Sequence, residues 1–127
     1  MADSSMGLHE DRGDLRPATL ERHRGLVSLM EELEAIDWYQ QRIDATGDRE
    51  LRDVLAHNRD EEAEHAAMSL EWLRRNDPAL DRQLRAYLFT EGSIAAEEDE
   101  AQGRGETAAE RGDGSLGIGG LSGRDRA

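Results

Sequence analysis

Two long stretches with helical spacing, joined by the short segment ATGD, constrain the fold of this chain more than any other feature. Apolar side chains recur every three or four positions from 18 to 45 and again from 49 to 75, which is the repeat of an amphipathic α-helix. In the segment between them, Gly47 suits the left-handed position that follows a helix, and Asp48 suits the N-cap of the next one. A connection this short makes its two helices antiparallel neighbours, so the sequence predicts a helical hairpin.

A third, shorter helix is predicted after the hairpin. The segment NDP ends the second helix, and there Asp77 can cap, and Pro78 can begin, a helix that runs to about Phe89. No segment has the alternating pattern of a β-strand. The predicted fold class is therefore all-α, an antiparallel two-helix hairpin plus a short C-terminal helix, with 17–90 as the helical domain.

The two ends of the chain differ in composition from this helical domain. Residues 1–16 are polar, and we expect them to be disordered. Residues 91–113 are acidic and glycine-rich, with almost no large apolar side chains, which is typical of a flexible linker. The tail, 114–127, contains SLGIGGL at Ser115–Leu121. This heptapeptide is either a chance cluster in a disordered tail or a short peptide that docks its aliphatic side chains into pockets on a partner.

Composition and charge exclude several classes of function. The chain has 16 Lys and Arg against 29 Asp and Glu, a formal net charge of −13, which repels nucleic-acid phosphates and attracts cations. It has no cysteine, so disulfides, thiolate zinc sites and iron–sulfur clusters are ruled out, and a metal must be held by oxygen and imidazole ligands. Neither a secretory signal nor a membrane span is evident. We expect a cytoplasmic protein without nucleic-acid or membrane partners.

Three polar residues fall among the apolar side chains of the predicted core. Glu32 lies within the apolar arc of the first helix, and Glu62 lies near the centre of the second stripe with His65 just beside it. A carboxylate in such a place is expected to be protonated, paired or bound to a metal. An ion pair between Glu62 and Arg59, with His65 as an ordinary core histidine, is one alternative, but it leaves Glu32 unexplained. The two stripes themselves consist of Leu29, Leu33, Ile36 and Ile43, and of Leu51, Leu55, Ala66 and Leu73.

A single hairpin lacks both ligands and apolar cover. Three ligands are few for iron in a carboxylate site, and two helices cannot cover their own apolar stripes. Two hairpins packed about a two-fold axis would present every residue twice, including Glu32 and the pair Glu62-x-x-His65. That set equals the ligands of ferritin-like di-iron proteins. The sequence therefore predicts a ferritin-like four-helix bundle that forms only on dimerisation.

Four runs of sequence occur together in this chain: VSLMEELEAIDWYQQRIDA, LAHNRDEEAEHAAMSLEWLRRND, YLFTEG and SLGIGGL. In these runs the chain resembles the encapsulated ferritins, the ferritin-like cargo proteins of bacterial encapsulin compartments. The resemblance implies that Glu32, Glu62 and His65 are the iron ligands of a ferroxidase site. This site would form between two chains and hold two irons per dimer interface. It also implies that Tyr39 makes a hydrogen bond near the site.

The same resemblance has consequences for assembly and location. It implies a ring of dimers, a homodecamer that has no closed cavity for mineral. It also implies that Ser115–Leu121 binds the inside of an encapsulin shell, where the iron would be stored. The protein would then lie inside an encapsulin nanocompartment in the bacterial cytoplasm.

The outer face of the first helix carries a second group of candidate residues. Glu31 and Glu34 are one turn apart, and Trp38 follows one turn later. The resemblance implies a transient cation site there, on the way to the iron centre, and the alternative is a solvated acidic face with one exposed Trp. A weaker set of the same kind on the second helix consists of His57, Glu61 and Glu64.

The predicted activity is oxidation of Fe²⁺ to Fe³⁺ with oxygen as electron acceptor, for iron storage and detoxification. Carboxylates are hard, anionic ligands that stabilise the ferric state and bridge metals, and Glu62, at the stripe centre, is the best candidate to bridge. One alternative is an iron-dependent peroxidase or oxygenase with the same ligands. Another is a non-catalytic, dimeric helical adaptor that delivers a partner through SLGIGGL.

Overall fold

The computed structural model describes residues 7–96 and 98. A single 3₁₀ turn, Arg12–Asp14, precedes three α-helices, which are α1 (Pro17–Ala45), α2 (Arg49–Asn76) and α3 (Pro78–Tyr87). Throughout this part of the chain the secondary structure is helical, without strands, so the predicted all-α fold is confirmed. In the same part of the chain, no helix combines the length and the apolarity that a membrane span requires. The predicted tail, and the predicted linker apart from residues 91–96 and 98, lie outside the described residues.

The chain divides into two compact units within α3, one ending at Asp81 and the other beginning at Arg82. The first unit contains the hairpin. Its two helices are antiparallel, because Glu32 of α1 contacts Ser69 of α2 while Gln40, later in α1, contacts Arg59, earlier in α2.

The connection between α1 and α2 confirms one predicted cap and contradicts another. Asp48 accepts a hydrogen bond from the backbone N–H of Leu51 at 2.9 Å, as an N-cap should. Gly47 lies outside the left-handed region, so its predicted conformation is wrong. The chain instead leaves α1 through Thr46 in an extended conformation (φ −78°, ψ 143°). The Thr46 hydroxyl accepts from the Asp48 N–H at 3.1 Å, and Arg52 donates to the Thr46 carbonyl at 2.8 Å. The hydrogen bonds of Thr46 and Arg52 thus stabilise the end of α1, where a left-handed glycine was predicted.

The start of α3 follows the sequence signals closely. Asp77 accepts hydrogen bonds from the backbone N–H groups of Ala79 and Leu80, each at 3.1 Å, and Pro78 is the first helical residue. The helix ends at Tyr87, two residues before the predicted end. Phe89 lies in the left-handed region with φ 60°, which a helix cannot continue through.

Close contact between the two long helices depends on Gly25. A Cβ atom at this position would lie 3.0 Å from the indole ring of Trp72 and 3.2 Å from Cδ2 of Leu73. The absent side chain therefore lets α2 pack directly on the α1 backbone. Among the described residues, Leu73 (1% exposed) and Ala66 form the whole of the fully buried apolar core, and both belong to the predicted α2 stripe.

Part of the predicted core remains exposed in one chain. Leu33, assigned to the α1 stripe, is 52% exposed, and Leu51 of the α2 stripe is also exposed. Helix α1 contains no fully buried residue. One hairpin therefore buries only part of its apolar surface, and its predicted dimerisation stays a prediction.

Candidate metal centre

Glu62 and His65 form a pair on one face of α2. They lie one helical turn apart, which brings their side chains together, and Oε1 of Glu62 is 3.6 Å from Nδ1 of His65. The side chain of Glu62 is 26% exposed and that of His65 is 48% exposed. Both predicted ligands are thus held at the surface of the hairpin, accessible to a cation or to a second molecule.

Glu32 reaches this face of α2 from the other helix. The hydroxyl of Ser69 donates to its carboxylate, with Oγ 2.9 Å from Oε1 and 3.2 Å from Oε2. Ser69 lies one turn beyond His65 and two turns beyond Glu62, so it belongs to the same strip of α2. The three residues predicted as metal ligands therefore border one strip, with Ser69 linking the two helices.

Ser69 is the residue that sequence reasoning missed. A signal for it existed, because Glu62, His65 and Ser69 are spaced at i, i+3 and i+7, the spacing of one helical face. Serine is not a typical iron ligand, and its spacing alone gave no reason to single it out.

The three predicted ligands share a strip without meeting at a point. In the described part of a single chain, no group of three or more His, Cys, Asp or Glu side chains is close enough to hold one metal ion. A complete site thus needs further ligands or a rearrangement, and the predicted site between two chains stays a prediction.

The alternative in which Arg59 neutralises Glu62 is wrong. The Arg59 guanidinium donates to Oε1 of Gln40 on α1 at 2.7 Å. It also donates to Oδ1 of Asp60 at 3.2 and 3.0 Å. Its ion-pair partner is therefore Asp60, while the charged or polar neighbour of Glu62 is His65.

Tyr39 lies on α1, two turns beyond Glu32, and is partly buried. The guanidinium carbon of Arg42 lies 5.4 Å from the centre of its ring, within the range of a cation–π contact. This contact restrains the ring on the helix surface. The hydrogen bond of Tyr39 near an iron site stays a prediction.

The outer face of α1 carries the predicted cation path. Glu31 is exposed, Glu34 is partly buried and Trp38 is 48% exposed. Their one-turn spacing is preserved because α1 is unbroken from Pro17 to Ala45. A transient cation site there stays a prediction.

The weaker set on α2 is solvated. Nε2 of His57 lies 3.5 Å from Oε2 of Glu61, and both side chains are exposed. Glu64 is exposed as well. In this arrangement the histidine has a carboxylate neighbour in water, which is a weak interaction.

A different cluster at the end of α2 holds its charges in pairs. The arginine brace, as we call it, consists of Glu71, Arg74, Arg75 and Asp81. Arg74 binds both carboxylate oxygens of Glu71 at 2.8 Å and also contacts Asp81 at the start of α3, while Arg75 donates to Glu71 at 2.6 Å. Hydrogen bonds, mainly from Arg74 and to a lesser extent from Arg75, lower the pKa of Glu71 from 4.5 to about 2. The hydrogen bonds to Glu71 and Asp81 raise the pKa of Arg74.

Comparison with known proteins gives consistent matches. The EncFtn-like family model matches residues 7–91. The encapsulated ferritin-like protein of Rhodospirillum rubrum is 59% identical over 130 residues, covering 97% of this chain and 93% of the relative. A crystal structure of a Nitrosomonas europaea protein, 56% identical, superposes with a TM-score of 0.68 over 70% of this chain and 98% of the other. An encapsulin nanocompartment cargo protein of Myxococcus xanthus is 42% identical over 52 residues, 41% of this chain and 40% of that protein.

Proposed function

The chain belongs to the EncFtn-like family, whose matched relatives include an encapsulated ferritin-like protein, and from this premise we propose that it is a ferroxidase. It oxidises Fe²⁺ to Fe³⁺ at a di-iron site shared by two copies of the chain. The observation that carries the proposal is one strip on α2, which holds Glu62 and His65 as a pair and contacts Glu32 of α1 through Ser69.

The chemistry of these side chains suits iron as the substrate. Carboxylates are hard, anionic donors that favour the ferric state, and imidazole is a common iron ligand. In the described residues, the neighbours of Glu32 and Glu62 are a hydroxyl and a histidine, so no arginine cancels their charge. The negative charge is thus available to attract Fe²⁺ and to stabilise the additional positive charge of Fe³⁺. Each Fe²⁺ gives one electron to the oxidant, which we take to be oxygen.

The incomplete burial of the hairpin supports a site between two chains. Leu33 is more than half exposed, and it is the neighbour in sequence of Glu32. A second hairpin packed about a two-fold axis would cover such side chains and supply a second copy of each ligand. The dimer is then the catalytic unit, and a decameric ring is the larger assembly that we propose.

We place this assembly inside an encapsulin shell. The names of the matched relatives describe encapsulated and encapsulin-cargo proteins, and Ser115–Leu121 has the aliphatic pattern of a docking peptide. This peptide lies outside the described residues. The shell would receive the ferric product, so the chain contributes oxidation and the shell contributes storage.

The assignment is tested by removing each ligand in turn. Glu32→Ala, Glu62→Ala and His65→Ala should each lose most of the catalysed oxidation, followed as ferric absorbance after mixing with Fe²⁺ and oxygen. Asp53→Ala is the matched control, since Asp53 is an exposed carboxylate on the opposite side of α2 from Glu62. Wild-type rates in all three ligand variants would contradict the assignment. Repeating the assay with peroxide as oxidant distinguishes a ferroxidase from a peroxidase.

A further inference from the structure

Ser69 contacts a predicted ligand without being one itself. Its hydroxyl lies within hydrogen-bond distance of both carboxylate oxygens of Glu32, and the contact joins α2 to α1 in a partly buried position. We propose that Ser69 is a positioning residue that holds Glu32 ready to bind iron, an inference that rests on the proposed function.

The register of Ser69 explains why it can act in this way. It lies four residues after His65 on the same strip of α2, about 6 Å further along the helix axis. A hydrogen bond from this position holds the Glu32 carboxylate against the strip that carries Glu62 and His65. Without it, the flexible Glu32 side chain would have to be ordered when the metal binds, at a cost in conformational entropy.

The chemistry of a hydroxyl donor suits this role better than that of an arginine. A hydroxyl donates a single proton, whereas a carboxylate has about four acceptor positions, so most of the Glu32 lone pairs stay available to a metal. A serine is also neutral, so the negative charge of Glu32 is retained. In the arginine brace, by contrast, Glu71 receives hydrogen bonds on both oxygens from two arginines. Serine thus fixes the direction of the Glu32 carboxylate and leaves its affinity for cations undiminished.

The first test is a titration of the whole chain with Co²⁺. Oxygen does not readily oxidise Co²⁺ held by carboxylate and imidazole ligands, and the visible absorption of Co²⁺ reports this ligation. Ser69→Ala should raise the apparent dissociation constant about tenfold, the lower end of the range for residues that orient metal ligands. Ser69→Thr keeps the hydroxyl and should stay within about twofold of the wild type, since it loses no hydrogen bond. We expect Ser69→Ala to fold, because alanine is a better helix former than serine.

Ser28→Ala is the matched control. Ser28 is an exposed serine on α1 that lines the same shallow surface depression as Ser69. The Ser28→Ala variant should bind Co²⁺ with the affinity of the wild type. Light scattering should show the same assembly for all three variants, so that a change in affinity reports the site and not the oligomer.

The second readout is the division between KM and kcat for Fe²⁺ oxidation. Loss of a group that prepares Glu32 for binding should raise KM by a factor similar to that for Co²⁺, with kcat nearly unchanged. A general loss of structure would lower kcat, and it would not be restored by Ser69→Thr.

Three results would overturn the inference: Co²⁺ affinity in Ser69→Ala equal to the wild type, no recovery in Ser69→Thr, or an equal loss in Ser28→Ala. These results differ from a failure of the proposed function. If the wild-type protein neither takes up Co²⁺ nor oxidises Fe²⁺, the proposed function fails and the inference fails with it. If the wild type does both and Ser69→Ala matches it, only the inference about Ser69 fails.

Discussion

Two acidic clusters lie along helix α2, and they differ in what surrounds their carboxylates. In the arginine brace, Glu71 is bound on both oxygens by arginines. At the candidate metal centre, Glu32 accepts from a serine and Glu62 lies beside a histidine. The first arrangement neutralises its charge and joins α2 to α3, whereas the second keeps its charge available for a cation. In a protein with so many acidic residues, the type of neighbour is a better guide to function than the acidic residue itself.

The arginine brace also shows that a strongly shifted pKa does not coincide with the candidate metal centre here. The pKa of Glu71 is lowered to about 2, yet its partners fully explain the shift as an ion-pair network. Structural ion pairs are a known source of such shifts. The functional assignment therefore depends on ligand type and placement.

The largest expected effect comes from one neutral substitution made in each cluster. Glu62→Gln removes the charge of a proposed ligand while keeping the shape of the side chain. It should lower catalysed Fe²⁺ oxidation by about a hundredfold or more, beyond the 10–100-fold typical of residues that only orient ligands. Glu71→Gln should leave oxidation within about twofold of the wild type. Stopped-flow oxidation assays on both variants check the pair. Equal losses in the two would mean that the clusters do not differ as described.

A second substitution would turn the metal centre into a cluster like the brace. Ser69→Arg places a guanidinium where the hydroxyl now contacts Glu32, and a paired carboxylate binds cations poorly. We expect Co²⁺ affinity to fall by more than about tenfold, measured by visible absorption. Ser69→Gln, which is also longer than serine and keeps an N–H donor but is uncharged, is the control and should weaken binding less. Equal losses would assign the effect to size and not to charge.

The sequence predicted the helices well because their signals are local. The ends of α1 and α2 fall within one residue of the predicted positions, and Asp48 and Asp77 cap as expected. A cap depends only on the residues next to it. The prediction for Gly47 was wrong because Thr46 and Arg52 supply hydrogen bonds to the backbone of the connection, so a left-handed glycine is not needed. Several backbone conformations can close so short a connection.

The cross-helix contacts could not be predicted in the same way. The bond between Ser69 and Glu32 depends on the register of α1 against α2, which is determined where Trp72 and Leu73 pack on Gly25. Periodicity on each helix shows which face is apolar, but not how two faces slide against each other. The exposure of Leu33 has a related cause. The two helices of one hairpin cover only part of each other's apolar face, and Leu33 lies on the part of the α1 face that α2 leaves exposed.

Stability should depend on the arginine brace more than on the metal centre. Arg74→Ala leaves Glu71 with Arg75 alone and removes the ion pair with Asp81. We expect the thermal midpoint to fall by a few degrees, measured by circular dichroism, with little change in Co²⁺ binding. Arg75→Ala is the matched control and should have a smaller effect, because its side chain is exposed and bonds only one oxygen of Glu71. A larger loss in Arg75→Ala would contradict this order.

Acid should weaken the same cluster in a definite pH window. The folded pKa of Glu71, about 2, lies below its usual value of 4.5, so the ionised form stabilises the folded state. This contribution is complete above about pH 4.5 and is lost as the pH falls towards 2, because the unfolded chain then binds the proton first. The difference in thermal midpoint between the wild type and Glu71→Gln should therefore shrink steadily across this window. A difference that stays constant from pH 5 to about 2 would show that the arginines do not stabilise the fold through the charge of Glu71.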